Sequence, residues 1–98
     1  MFYKIHHAYR EVVAVCDEDL IGKTFEEGNF QLEVKESFFK EETISEEELI
    51  ELMLDFSKED ATFNIIGKES INCALNAGII EKNTIKKINN IPFALVLI

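Results

Sequence analysis

From residue 2 to residue 17 the run of apolar and polar positions predicts a β-hairpin around the turn Ala8-Tyr9-Arg10-Glu11. Pairing His7 with Val12 sets Ile5 opposite Ala14 and Tyr3 opposite Cys16. Tyr3, Ile5, Val12, Ala14 and Cys16 are then expected on one face, as a half-buried sheet requires. Lys4, His6 and Asp17 fall on the other face together with Val13 and Val15. The turn carries no Asn-Gly or Asp-Gly pair, so turn chemistry does not set its loop length. Residues 17–28 read as a polar loop interrupted by Leu20, Ile21 and Phe25. A further strand is expected over 30–34, where Phe30, Leu32 and Val34 alternate with Gln31 and Glu33 at a period of two. Phe38 and Phe39 are expected to plug the core from the next connection.

The period then changes to that of a helix. Ser45-Glu46-Glu47-Glu48 is a capping-box sequence: the Ser45 hydroxyl accepts from the backbone N–H of Glu48, and the Glu48 carboxylate reaches back. Ile44 stands where a hydrophobic staple would. Leu49, Leu52, Met53 and Phe56 make one apolar helical face, with Glu47, Glu51, Asp55 and Lys58 opposite. Acids at the helix start also suit its dipole. Residues 61–66 form a short apolar link that fits strand or coil. Gly67 opens a second helix over 68–77, with Ile71, Ala74 and Leu75 inward, and Gly78 is placed to end it in the left-handed conformation. The tail has a strand-like stretch around 84–88, then Ile91-Pro92 and a wholly apolar finish over 93–98. That finish is expected to be a buried strand, with a contact between two copies of the chain as the next reading, because large exposed apolar patches usually mark interaction sites.

Composition narrows the picture. Ninety-eight residues fit a single domain, 1–98, with one core. With 47% apolar residues and only five Gly plus Pro, the chain is globular. No apolar run reaches the roughly 18 residues of a membrane span, and the N-terminus goes straight into a strand pattern, so an unprocessed cytoplasmic protein is expected. Cys16 and Cys73 form no CxxC pair and read as reduced, buried thiols. The net charge of −9 is local: residues 41–60 hold nine acids and one base, and the remainder holds ten acids and nine bases. The only basic cluster, Lys82, Lys86 and Lys87, is too thin for tight binding to duplex nucleic acid.

Several chemistries are opposed by the sequence itself. Gly22-Lys23-Thr24 comes after a strand as in a P-loop, but Asp17 stands at the first glycine position and Glu18 and Asp19 lie within the loop. Three carboxylates repel phosphate, and the next segment has the period of a strand where a P-loop needs a helix. Cys16 is flanked by carboxylates and lies away from His6 and His7 in the expected register, which opposes an activated thiolate. The stripe Glu47, Glu51, Asp55 is better explained as a solvated helix face than as a cation cage. The adjacent histidines point to opposite faces of a strand and cannot chelate together. No metal site and no cofactor is implied.

The order of short segments resembles one family. Val13-Ala14-Val15-Cys16-Asp17, Leu20-Ile21-Gly22-Lys23, Phe25, Glu27-Gly28 and Leu32 are succeeded by Ala61, Asn64-Ile65-Ile66-Gly67, Ala74, Gly78-Ile79-Ile80 and Ile91-Pro92. This pattern is similar to the archaeal small-protein family catalogued as domain of unknown function 424. The resemblance covers nearly the whole chain. It implies a two-layer α/β sandwich in an archaeal cytoplasm and no particular reaction. The family ending resembles Gly-Val-Pro-His-Ala, where this chain has Asn90-Ile91-Pro92-Phe93-Ala94, so a role for that histidine is not open to Phe93.

The expectation is therefore an α+β two-layer sandwich: a small, mostly antiparallel sheet with an N-terminal hairpin, packed against two helices. Cys16, Asp17, Gly22, Lys23, Asn64 and Gly67 match the family pattern without an obvious core duty. They are expected to form one polar pocket, if the loop after the hairpin meets the turn before the second helix. The function expected first is a non-catalytic binding or adaptor protein with a protein partner, in the setting of translation or RNA processing. The alternative is a small enzyme using Cys16, Asp17 and Lys23, with its ligand held by the turn 64–67. A third reading, a single-stranded RNA binder, requires Lys82, Lys86 and Lys87 to lie beside exposed aromatics such as Tyr3 or Phe93.

Overall fold

The computed structural model describes residues 1–97. The chain begins as the hairpin β1 (Phe2–His6) and β2 (Val12–Cys16), passes a 3-10 turn (Glu18–Leu20), and forms a two-stranded ribbon, β3 (Thr24–Glu27) and β4 (Phe30–Glu33). A short helix α1 (Glu36–Phe39) and a two-residue strand β5 (Glu42–Thr43) lead into α2 (Glu46–Ser57). Then come β6 (Thr62–Ile66), α3 (Lys68–Ala77), a second 3-10 turn (Lys82–Thr84), β7 (Lys86–Ile88) and β8 (Ile91–Leu97). The main sheet runs β5-β1-β2-β6-β8-β7, and every pair in it is antiparallel except β2 with β6. Residues 61–66, ambiguous between strand and coil in the sequence, thus supply a central strand.

The hairpin register corrects the sequence expectation by one residue. His6 rather than His7 pairs with Val12, so Ile5 faces Val13, Tyr3 faces Val15 and Phe2 faces Cys16. A one-residue slip moves each side chain to the other face. Tyr3, Ile5, Val13 and Val15 therefore look toward α2 and α3, together with Phe63, Ile65 and Ala94. Ala14 and Cys16 look the opposite way, into a second apolar cluster with Leu20, Val34, Phe39 and Ile66. The alternation could not fix the register because β2, Val-Val-Ala-Val-Cys, is apolar on both faces, and both faces are covered where it runs.

The two helices behave as their sequences specify. Ser45 caps α2 with its side chain accepting from Glu48 N at 3.2 Å, and Glu48 Oε1 accepts from Ser45 N at 3.2 Å. Those bonds hold the Glu48 carboxyl below its usual range. Leu49 and Met53 are fully buried against the sheet; burial of each such side chain contributes about 1.5–3 kcal/mol relative to exposure. Gly78 ends α3 in the left-handed conformation, donating to Ala74 and Leu75. The expected helix-on-sheet sandwich stands. Over part of the other sheet face lies a further cover, the β3–β4 ribbon and α1, with Phe39 as its plug and Phe38 stacked on His6 at 4.4 Å. That cover stops short of one corner: Leu95 and Leu97, on the same face as Phe93, are 67% and 71% exposed.

Candidate functional site

Two of the residues singled out in the sequence, Asp17 and Gly67, lie at the carboxyl ends of β2 and β6, the one parallel pair among the described residues. The register sets Cys16 beside Ile66, so Asp17 and Gly67 leave the two strands side by side, and Asp17 N donates to Ile66 O at 3.1 Å. The carboxyl end of adjacent parallel strands, with a helix starting from one of them, is where α/β proteins commonly hold anions, because the first N–H groups of the helix have no partner within it. Here the chain supplies its own anion. Asp17 Oδ1 accepts from Ser70 N and Ser70 Oγ, each at 2.8 Å, and Oδ2 accepts from Glu69 N at 3.0 Å. Asp17 is 6% exposed and Ser70 is fully buried.

Gly67 is what allows this approach. Its φ is +111°, and a methyl group at its Cα would sit within 2.6 Å of the Asp17 carboxyl carbon and both oxygens. Gly67 also bridges the sheet: its N–H donates to Pro92 O at 2.8 Å and its carbonyl accepts from Ile71 N at 2.9 Å. Because Gly67 has no side chain with which to cap α3, the helix must be capped from elsewhere, and Asp17 does it from 52 residues before Glu69. A cavity of about 190 Å³ beside this junction is lined by Asp17, Asp19, Leu20, Gly67, Lys68, Ile91 and Pro92.

The other sequence-selected residues are dispersed. Cys16 lies on the sheet face away from α3, fully buried in the second cluster. Burial first, and then the Asp17 carboxylate, push its thiol up to about 12. Burial and then Glu46 raise Cys73 as well. Gly22 and Lys23 belong to the base of the ribbon, where Gly22 N donates to Val34 O and Val34 N to Lys23 O. They line a separate depression of about 440 Å³ with Thr24, Glu33, Lys35, Glu36 and Ser37. Asn64 pairs with Ala14 and Leu95, half-buried on the open corner of the sheet and not on the side of α3. Of the six residues singled out in the sequence, the meeting of the loop after β2 with the turn after β6 therefore brings together Asp17 and Gly67 alone.

Ser70 is the residue that sequence reasoning missed. The clue was present: a helix opened by glycine rather than by Ser, Thr, Asp or Asn leaves its first N–H groups in need of an acceptor. His6 stacks on Phe38, with Nε2 2.9 Å from the Phe38 carbonyl, and His7 lies 2.7 Å from Glu11 on the surface. Among the described residues no group of three His, Cys, Asp or Glu side chains is arranged to hold a metal ion, and no helix is long and apolar enough to cross a membrane.

The fold and this junction define a small α+β protein in which a strand-end carboxylate caps a helix of the same chain. Comparison supplies its family: the model described as "Protein of unknown function (DUF424)" matches residues 5–98, and the chain belongs to that family. Among solved structures it is similar to an uncharacterized conserved protein from Methanopyrus kandleri, with a TM-score of 0.85 at 19% identity, covering 98% of this chain and 90% of that one. That likeness shows the fold. A search of the curated proteins finds no match.

Proposed function

We propose that this chain is a non-catalytic binding or adaptor protein of an archaeal, reducing cytoplasm, working through its surface on a protein partner. The observation that carries this reading is the engagement of Asp17, whose two oxygens already accept three hydrogen bonds from α3. A carboxylate so committed is not free to act as base or ligand. The alternative enzyme built on Cys16, Asp17 and Lys23 has further difficulties: Cys16 faces away from Asp17, and a thiol pushed up to about 12 is almost wholly protonated near neutrality. Two free, buried cysteines support a reducing compartment. The exposed acids of α2, Glu47, Glu51 and Asp55, offer a face to a basic partner. Capture on tagged full-length chain at moderate salt tests the reading. One or more proteins should be retained by the wild type and lost with Glu47→Lys/Glu51→Lys. Retention of nothing, or retention indifferent to the reversal, would defeat it, as would Cys16 labelling faster than Cys73.

A second reading, a contact with single-stranded RNA in translation or RNA processing, draws support from one spot. Lys86 pairs with Phe93, and a groove of about 240 Å³ is lined by Phe30, Lys86, Lys87, Ile88, Phe93 and Glu27. Phe30 is 72% exposed there, so two rings lie on the same face as the Lys86 side chain, an arrangement on which bases stack. Lys87, opposite Pro92, projects from the other face of β7, and Lys82 lies outside the groove. Tyr3 takes no part; it is on β1, donating to Glu42. Fluorescence anisotropy with a short oligouridylate should show binding that falls by about tenfold with Phe30→Ala, one stacked base. Binding indifferent to Phe30 would remove this reading.

A further inference from the structure

β8 is longer than its outer neighbour. β7 pairs only with residues 91–93, from Ile88 with Ile91 to Lys86 with Phe93, and the chain then turns away into the 3-10 turn 82–84. On the inner side β6 accompanies β8 as far as Leu97. Gly67 N donates to Pro92 O, so the backbone groups of 92, 94 and 96 point inward to β6, and those of 93, 95 and 97 point outward. Phe93 is met by Lys86. Among the described residues no strand pairs with Leu95 and Leu97 on that side, and both side chains are largely exposed.

Sheet edges of this kind recruit further strands unless charge, proline or a bulge protects them. The segment Ala94-Leu95-Val96-Leu97 has none of these. Its helix-side flank is concave: a cavity of about 370 Å³ is lined by Gly78, Ile79, Ile80, Glu81, Thr84 and Leu95 to Leu97.

We propose that this free edge of β8 pairs antiparallel with the same edge of a second copy of the chain, about a two-fold axis at Val96, to give one continuous sheet. In that register Leu95 lies opposite Leu97 of the second copy and exchanges both backbone bonds with it. Only residues with outward-facing N–H and C=O groups are used as hydrogen-bonded pairs. The exposed leucines cover one another on one face. On the other face the two Val96 side chains meet beside the cavity that Ile79, Ile80, Glu81 and Thr84 line. Along the paired segment neither copy carries a charge, so no like charges oppose one another there. Glu42 of β5 lies at the opposite edge of the sheet, while Lys86 and Lys87 lie at this one. A self-complementary patch is also what a closed two-fold dimer requires. Pairing of two chains at this edge does not depend on Asp17, on the α2 acids or on any other partner.

Sedimentation equilibrium of the full chain over a concentration series tests it directly. The mass should rise from 11.3 kDa toward twice that value. Leu95→Lys/Leu97→Lys, with its fold checked by circular dichroism, should weaken association by at least about 100-fold, since two apolar side chains per chain lose their cover. Register is tested by Val96→Cys. A non-hydrogen-bonded antiparallel pair has its Cα atoms about 4.5 Å apart, within disulfide reach. Mild oxidation should therefore link two chains through residue 96, while Tyr9→Cys at the tip of the first hairpin should not link. A single-chain mass at every concentration overturns the proposal. So does a dimer indifferent to the lysines, equal linking through residue 9, or a monomer that takes up an extended segment of another protein at this edge.

Discussion

The junction of β2, β6 and α3 and the free edge of β8 lie on the same sheet and treat unpaired backbone groups in opposite ways. At the junction, α3 begins with N–H groups that have no internal acceptor. They are satisfied inside the molecule by Asp17, in contact with a buried serine and a glycine that cannot carry a side chain. At the edge, the outward groups of Leu95 and Leu97 are left open, beside apolar side chains in solvent. The residues that look most chemical in the sequence hold the fold together, and those that look like plain core are the ones presented outward. Polarity alone is a poor guide to function when a carboxylate can be consumed as a helix cap.

Filling the junction should destabilise the chain most. Gly67→Ala drives a methyl group into the Asp17 carboxylate and also strains a backbone at φ +111°. Denaturant unfolding should show a loss of about 4 kcal/mol or more, in the range reserved for steric and strain failures. A loss under about 1 kcal/mol would mean that the junction yields readily and is no more rigid than the edge of β8. Asp17→Asn comes next. One carboxylate oxygen becomes an amide nitrogen facing a donor, so about 2 kcal/mol should be lost. The paired substitution Asp17→Ala/Gly67→Ala should cost less than the sum of its parts, because the shorter side chain leaves room for the methyl group.

The smallest effect belongs to the ordinary cap. Ser45→Ala at the exposed start of α2 should cost about 1 kcal/mol, less than the change at Asp17, which caps from a buried position. Its partner Glu48 adds a pH signature. The Ser45 hydroxyl first, and then the Ser45 backbone N–H, lower the Glu48 pKa in the folded chain. Stability from that lowering is present above the ordinary glutamate value of about 4.3 and is lost as pH falls through the depressed folded value. The stability gap between wild type and Glu48→Gln should therefore close in acid. A gap that widens there would contradict the capping geometry.

How much of this was legible in the sequence varied with the range of the interaction. α2 could be read in full because Ser45, Glu48, Leu49 and Met53 interact within a few residues. Gly78 marked the end of α3 for the same reason. The hairpin was legible but its register was not, since Val13, Val15, Ala14 and Cys16 are apolar on either face. At the candidate site, Asp17 and Gly67 stood out as a pair of unexplained residues, yet grouping them with Gly22, Lys23 and Asn64 assumed a proximity that the topology does not provide. Ser70 was invisible because its acceptor lies 53 residues away.

The pairing of β2 with β6 has a bearing on how the chain reaches its native state. Strand partners from residues 12–16 and 62–66 must find each other across the whole acidic segment, and β6 then needs β8 on its other side. Until Ile66 has been made on the ribosome, the first hairpin has no inner neighbour, and Val13 and Val15 have little of their shelter. Assembly dominated by such distant contacts is slow for a domain of this length. The many negative charges of residues 41–60 would keep the waiting nascent chain dispersed, a solubilising duty needed before any duty of the finished fold.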